Sequence, residues 1–232
     1  MVKAILFGSL STLANLVDLE RRAFNMAFRT FGVGVHWKEP DYEELLSQSG
    51  RFSGPTEAAD ELICQHATGF YEVLECHFRD LIDETPLEPH RWTAAALEQL
   101  AKRRVRPKVA LVSGAARQTV LRVLAAVFPH RASSVFDVVT SQETAAAPKP
   151  SPTLYIEALA QLGALASDAI AIEATQHGLL AAQSAGIATA GFRSRYSGAE
   201  QLRNADFDLG EDFRSTLDRY HASKLKRSIA AE

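Results

Sequence analysis

Five short apolar runs punctuate the chain: VKAILF (2–7), KVALVS (108–113), SVFDVV (134–139), AIAIE (169–173) and IATAGF (187–192). Each is rich in Val, Ile, Ala or Phe without clean alternation, the pattern of strands covered on both faces. Helical spacing separates them over 93–104, 115–127, 152–163 and 177–185. Strand–helix alternation of this kind predicts right-handed βαβ units and an α/β fold with a doubly wound, Rossmann-like parallel sheet.

Residues 15–86 interrupt that rhythm. Leu16, Leu19, Ala23, Ala27 and Phe31 recur three or four apart, with Phe24 and Phe28 widening the stripe. The stretch 55–83 predicts one or two more helices, with Pro55 suited to a helix start. No strand signal stands out there. The expected organisation is an α/β core over 1–14 and 87–232 and an all-helical cap over 15–86, inserted after the first strand. ETPLEPH (84–90) is the return linker.

Composition narrows the class without choosing a function. The 232 residues are 47% apolar and 23% charged, as in an ordinary globular protein. A net charge of −3 gives no reason to expect nucleic acid or an anionic membrane as partner. Cys64 and Cys76 are too few for a disulfide framework and lack metal-ligand spacing, so two buried or half-buried thiols are expected. No apolar run approaches the roughly 20 residues of a membrane span. A cytoplasmic protein is the expectation.

The chemistry is where the sequence is unusual. A loop at the carboxyl end of a buried strand commonly carries the reactive groups of an α/β protein. Here the loop after the first run holds Gly8, Ser9, Leu10, Ser11 and Thr12, with no carboxylate, His or Lys. With LERRAFNMAF (19–28), WKEPDYEELLSQSG (37–50), ALVSGA (110–115), PKPSP (148–152) and AIEATQHGLLAAQSAGI (171–187), the chain resembles the haloacid dehalogenase (HAD) superfamily. It is similar to the branch of β-phosphoglucomutases and phosphoglycolate phosphatases with helical caps, and within it to Calvin-cycle sugar-bisphosphate phosphatases.

That resemblance implies four motifs. In the first, Asp-x-Asp-Gly-Thr-Leu, one acid is the phosphorylated nucleophile and the next is the general acid/base. Those positions are Gly8 and Leu10 here, and the usual Gly is Ser11; Thr12 and Leu13 keep the pattern. Ser113 matches the phosphate-binding second motif, followed by Gly114, and Lys149 matches the third. In the fourth, Glu173 is kept while the metal-binding acid is Ala174. Mg²⁺ neutralises developing charge in such reactions and is held by carboxylates plus substrate phosphate. With its ligands missing, no cofactor is expected.

The anion-binding half remains. Ser9, Ser11, Thr12 and their loop amides, with Ser113, Gly114 and Lys149, are candidates to hold phosphate or a phosphorylated small molecule. Equally, Lys149 can pair with Glu173 and simply close the site. Arg51 is a cap candidate for gripping a second phosphate. Glu20 stands where similar proteins often carry His; otherwise Asp18, Glu20, Arg21 and Arg22 read as a solvated helix face. Trp37, Tyr42 and Phe52 read as cap packing rather than as a pocket, and His177 as a capping or surface residue. Three functions follow: a pseudophosphatase binding a phosphorylated metabolite or protein partner, a phosphate monoester hydrolase using displaced residues such as Ser9, Ser113 or Glu173, or a structural subunit paired with an active relative.

Overall fold

The computed structural model describes residues 2–48, 55–63, 68–193 and 202–230. Six parallel strands form one sheet: β1 (Ala4–Gly8), β2 (Lys108–Val112), β3 (Val138–Thr140), β4 (Ala169–Glu173), β5 (Ala188–Gly191) and β6 (Phe207–Asp208). Their spatial order is β3-β2-β1-β4-β5-β6, which reverses direction between β1 and β4. A crevice at the carboxyl edge opens at such a reversal.

Between β1 and the return of the chain at Pro89, the described residues form four α-helices: α1 (Val17–Thr30), α2 (Glu39–Gln48), α3 (Pro55–Ile63) and α4 (Phe70–Glu84). The remaining helices are α5 (Arg91–Ala101), α6 (Arg117–Val127), α7 (Thr153–Leu162), α8 (Gln176–Ser184) and α9 (Phe213–Ala230). Strand side chains alternate between faces. Ile5, Phe7, Val109, Leu111, Ile170 and Ile172 pack with residues of α1, α4, α5 and α6. Ala4, Leu6, Ala110, Val112, Ala169 and Ala171 pack with α7 and α8. Burial on both sides is why these runs read as continuous apolar stretches. The inserted helices hold a third cluster, in which Phe24, Phe28, Trp37, Tyr42 and Phe70 are buried together. Chain exit and return are joined by a bridge between Ala14 and Pro89.

Several elements differ from the sequence reading. The third run becomes a strand only at 138–140, because the Asp137 side chain accepts the Val109 amide at 2.7 Å and is itself clasped by Arg106 at 2.7 Å. The one or two helices expected over 55–83 are, among the described residues, the two helices α3 and α4, the second entered from Gly69 in a left-handed conformation (φ 81°). Cys76 is exposed on α4, not buried as expected, and Cys64 lies outside the described residues. Glu20 is half-buried rather than solvated.

Candidate functional site

Register brings the key positions into one row. Gly8 pairs with Val112 on one side and Glu173 on the other, so the loop after β1, Ser113 and Ala174 all leave the sheet at the same level. Gly8, Leu10, Ser113, Glu173 and Ala174 are buried there, while Ser9 and Ser11 are half-buried. The turn after β1 places Ser9 at φ 64°, an uncommon conformation for a side-chain-bearing residue, and leads into a single 3₁₀ turn at Leu10–Thr12. Strain of this kind persists only where neighbours hold it. Here the Ser9 amide donates to Val112 O at 2.9 Å, and the Thr12 hydroxyl donates to Ser9 O at 2.9 Å.

Those bonds decide which amides are available. Ser9 and Thr12 spend theirs on Val112 O and Ser9 O, so the loop offers fewer donors than its sequence suggests. Among the described residues the amides of Leu10, Ser11 and Gly114 have no acceptor. The hydroxyls are local: Ser9 and Ser11 share a hydrogen bond of 2.8 Å, and Ser113 Oγ accepts from the Ala115 amide at 3.1 Å.

The charged centre lies beside them. Lys149 Nζ donates to Glu173 Oε1 and, at 3.0 Å, to Val112 O. Glu173 has no exposed surface, and the Lys149 side chain is 11% exposed. Tyr155 completes the group, its hydroxyl donating to Glu173 Oε1 at 2.6 Å while its ring lies 5.0 Å from Lys149 Nζ. Burial, then the Glu173 charge, pushes the Tyr155 hydroxyl well above its usual range, so it stays a proton donor.

Two of these residues escaped the sequence reading. Tyr155 follows Pro152 by three positions at a helix start, a spacing that aims it at the strand ends; it reads as core because it is also fully buried. His90, in the return linker, donates from Nε2 to Ser11 O at 3.1 Å and packs tilted against Phe192, ring centroids 5.0 Å apart. Burial lowers its pKa against the opposing pull of the Ser11 and Ala14 carbonyls, which favours a neutral ring buttressing the loop.

Other candidates fall away from this centre. Arg51 and Phe52 lie outside the described residues. Trp37 and Tyr42 pack in the aromatic cluster of the insert, and Trp37 is tied by both backbone groups to the Asn25 side chain at 2.8 Å. His177 is half-buried in the first turn of α8, where Thr175 rather than His177 is the cap, accepting from the Gly178 amide at 3.1 Å. Glu20 sits in the insert with its pKa raised to about 7, chiefly by burial and then by Glu75.

A doubly wound sheet with a helical insert after its first strand, and a Ser, a Lys and a Glu converging on its carboxyl edge, defines a class. The family model for haloacid dehalogenase-like hydrolases matches residues 6–192, and the chain belongs to that family. Among its relatives, Protein CbbY of Cereibacter sphaeroides is 32% identical over 90% of this chain and 95% of its own. A crystal structure of a CbbY mutant from Rhodobacter sphaeroides in complex with xylulose-(1,5)bisphosphate superposes with a TM-score of 0.74 at 27% identity, covering 90% of this chain and 94% of that one. A β-phosphoglucomutase from Clostridium difficile shares the fold, with a TM-score of 0.73 at 17% identity over 96% and 98% of the two chains.

Phosphatases of this family typically use Mg²⁺, and the residues present do not fit it. A Mg²⁺ site needs at least one carboxylate oxygen free to ligate. Gly8, Leu10 and Ala174 supply none; Glu173 Oε1 is taken by the ammonium and the tyrosine, and its Oε2, though unbonded, is fully buried against Gly178 and offers no face to an ion in the crevice. No group of three or more His, Cys, Asp or Glu able to hold a metal occurs among the described residues.

Proposed function

We propose that this chain is a non-hydrolytic member of the HAD-like family, a pseudophosphatase that holds the phosphate of a small phosphorylated metabolite without turning it over and without a metal. One observation carries this reading: where β2, β1 and β4 end side by side at Val112, Gly8 and Glu173, the acid is Glu173, and it is bound to Lys149 and Tyr155, while Asp208, two strands further out in the same row, pairs with Arg193. Phosphate monoester cleavage is among the slowest uncatalysed reactions, and the family accelerates it with a carboxylate nucleophile and a second acid that protonates the leaving group. Gly8 has no nucleophile to offer and Leu10 no proton.

The donors available to a phosphate are the unspent amides of Leu10, Ser11 and Gly114, the hydroxyls of Ser9, Ser11 and Ser113, and Lys149; the buried Thr12 hydroxyl, expected as a further donor, is spent on Ser9 O. Clustered amides of this sort make anion-binding concavities. CbbY's complex with a sugar bisphosphate supports a phosphorylated ligand, and the inserted helices 15–86 would cover it as a cap. Displaced-residue hydrolysis finds little support, since the Ser9 and Ser113 hydroxyls bond to Ser11 and Ala115 and not to a base that would activate them. Among the described residues no helix is long and apolar enough to cross a membrane.

The test is a panel of sugar mono- and bisphosphates together with p-nitrophenyl phosphate, assayed with Mg²⁺ and with EDTA. The expected result is no phosphate release above buffer in either condition. Mg²⁺-dependent release that disappears in Lys149→Ala would overturn the proposal.

A further inference from the structure

Glu173 is held in an unusual way. Its Oε1 accepts from Lys149 and Tyr155, but its Oε2 is buried with no hydrogen-bond partner. A bare buried carboxylate oxygen is costly, so hydrogen bonding alone does not explain why the side chain stays there. Shape does. A Cβ built on Gly8 would overlap Glu173 Oε1 and the Tyr155 hydroxyl, and one built on Gly178 would overlap the Glu173 carboxyl carbon and both of its oxygens. Neither glycine has a positive φ, so it is space and not backbone conformation that these two positions supply.

We infer that Gly8, Gly178 and Tyr155 form a fitted slot that seats the Glu173 carboxylate as an internal anion, and that an outside phosphate gains the full charge of Lys149 only by displacing it. The inference rests on the phosphate-binding reading above. It gives Gly8 a second meaning: the residue that removes the family's nucleophile also makes the room Glu173 occupies. Lys149 has three N–H donors, of which Glu173 and Val112 take two. With Glu173 seated, an incoming oxyanion meets one remaining donor on a neutral pair. With Glu173 released, it meets a full positive charge beside the free amides of Leu10, Ser11 and Gly114.

The experiment is calorimetric titration of inorganic phosphate into the wild-type chain, Glu173→Gln, and Glu173→Gln combined with Lys149→Met. The expected result is about tenfold or tighter binding in Glu173→Gln than in wild type, from unmasking one charge, with the gain lost in the double variant. Equal affinity in wild type and Glu173→Gln would overturn the slot and leave the phosphate-binding reading standing. No phosphate binding in any of the three would overturn both. Should Glu173→Gln not fold, Tyr155→Phe frees one bond to Oε1 while keeping the ion pair. It should then bind phosphate several-fold more tightly, and an unchanged affinity overturns the inference.

Discussion

The two halves of the crevice differ in chemistry although one sheet builds both. On the β1 side, and at the residue after β4, the positions that the family resemblance assigns to nucleophile, acid/base and metal ligand hold Gly8, Leu10 and Ala174. On the other side, Lys149 bonds to Val112 O and to Glu173, which Tyr155 also holds, in a buried network with Ser113 beside it. The contrast teaches that the frame does not depend on its acids. Gly8 still pairs with Val112 and Glu173, and Ile5 and Phe7 still pack the core, because strand burial and not the catalytic side chains fixes this edge. The cation is different. A lysine shut inside a crevice needs a counter-charge, and with the other acids absent Glu173 supplies it.

The largest effect should come from the bonded half. Lys149→Ala leaves Glu173 buried and unpaired, and a loss of about 3 kcal/mol in denaturant unfolding is expected. A loss below about 1 kcal/mol would mean that the two halves do not differ in energetic weight. In the stripped half, only the bare backbone of Gly8 should matter: Gly8→Ala overpacks the Glu173 carboxylate and is expected to cost about 1–3 kcal/mol, read as a lowered midpoint.

Glu20, in the insert, carries the same question of charge and counter-charge to a place where the neighbour is another acid. Its folded pKa of about 7 lies above its ordinary 4.5, so the proton is held more tightly in the folded state. The stabilisation is present below about pH 4.5 and is lost as pH rises through about 7. Glu20→Gln should be flat across that window and, at pH 8, more stable than wild type by about 1–2 kcal/mol. Parallel pH profiles for the two proteins would remove Glu20 as the cause. The smallest effect belongs to Ser11→Ala. Its hydroxyl shares only the half-buried bond to Ser9, so stability should move by less than about 0.5 kcal/mol while phosphate affinity falls modestly.

Much of this architecture is legible in the sequence. AIAIE is β4 residue for residue, and KVALVS and IATAGF locate β2 and β5, because burial on both faces leaves a plain apolar signature. Ser113, Lys149 and Glu173 are legible through the family's motifs. What was missed shares a physical reason: it depends on partners distant in the chain. Asp137 delays the start of β3 by capturing an amide 28 residues away. The tail helix α9 is polar along most of its length, and among its described side chains Phe213, Thr216 and Tyr220 are buried, so its apolar periodicity is faint. The two residues of β6 are too few to show any period. Tyr155 looks like any core aromatic until its hydroxyl is seen on Glu173. Glu20 looks like part of a charged helix face until the neighbouring helix brings Glu75 beside it.

The central claim, retention of phosphate without turnover, is tested most directly by phosphorus NMR of the protein mixed in near-stoichiometric amount with a sugar phosphate and Mg²⁺. The account predicts a ligand resonance shifted by binding and no growth of the inorganic phosphate signal beyond a protein-free control. Growth of that signal at a Mg²⁺-dependent rate, abolished in Lys149→Ala, would contradict it.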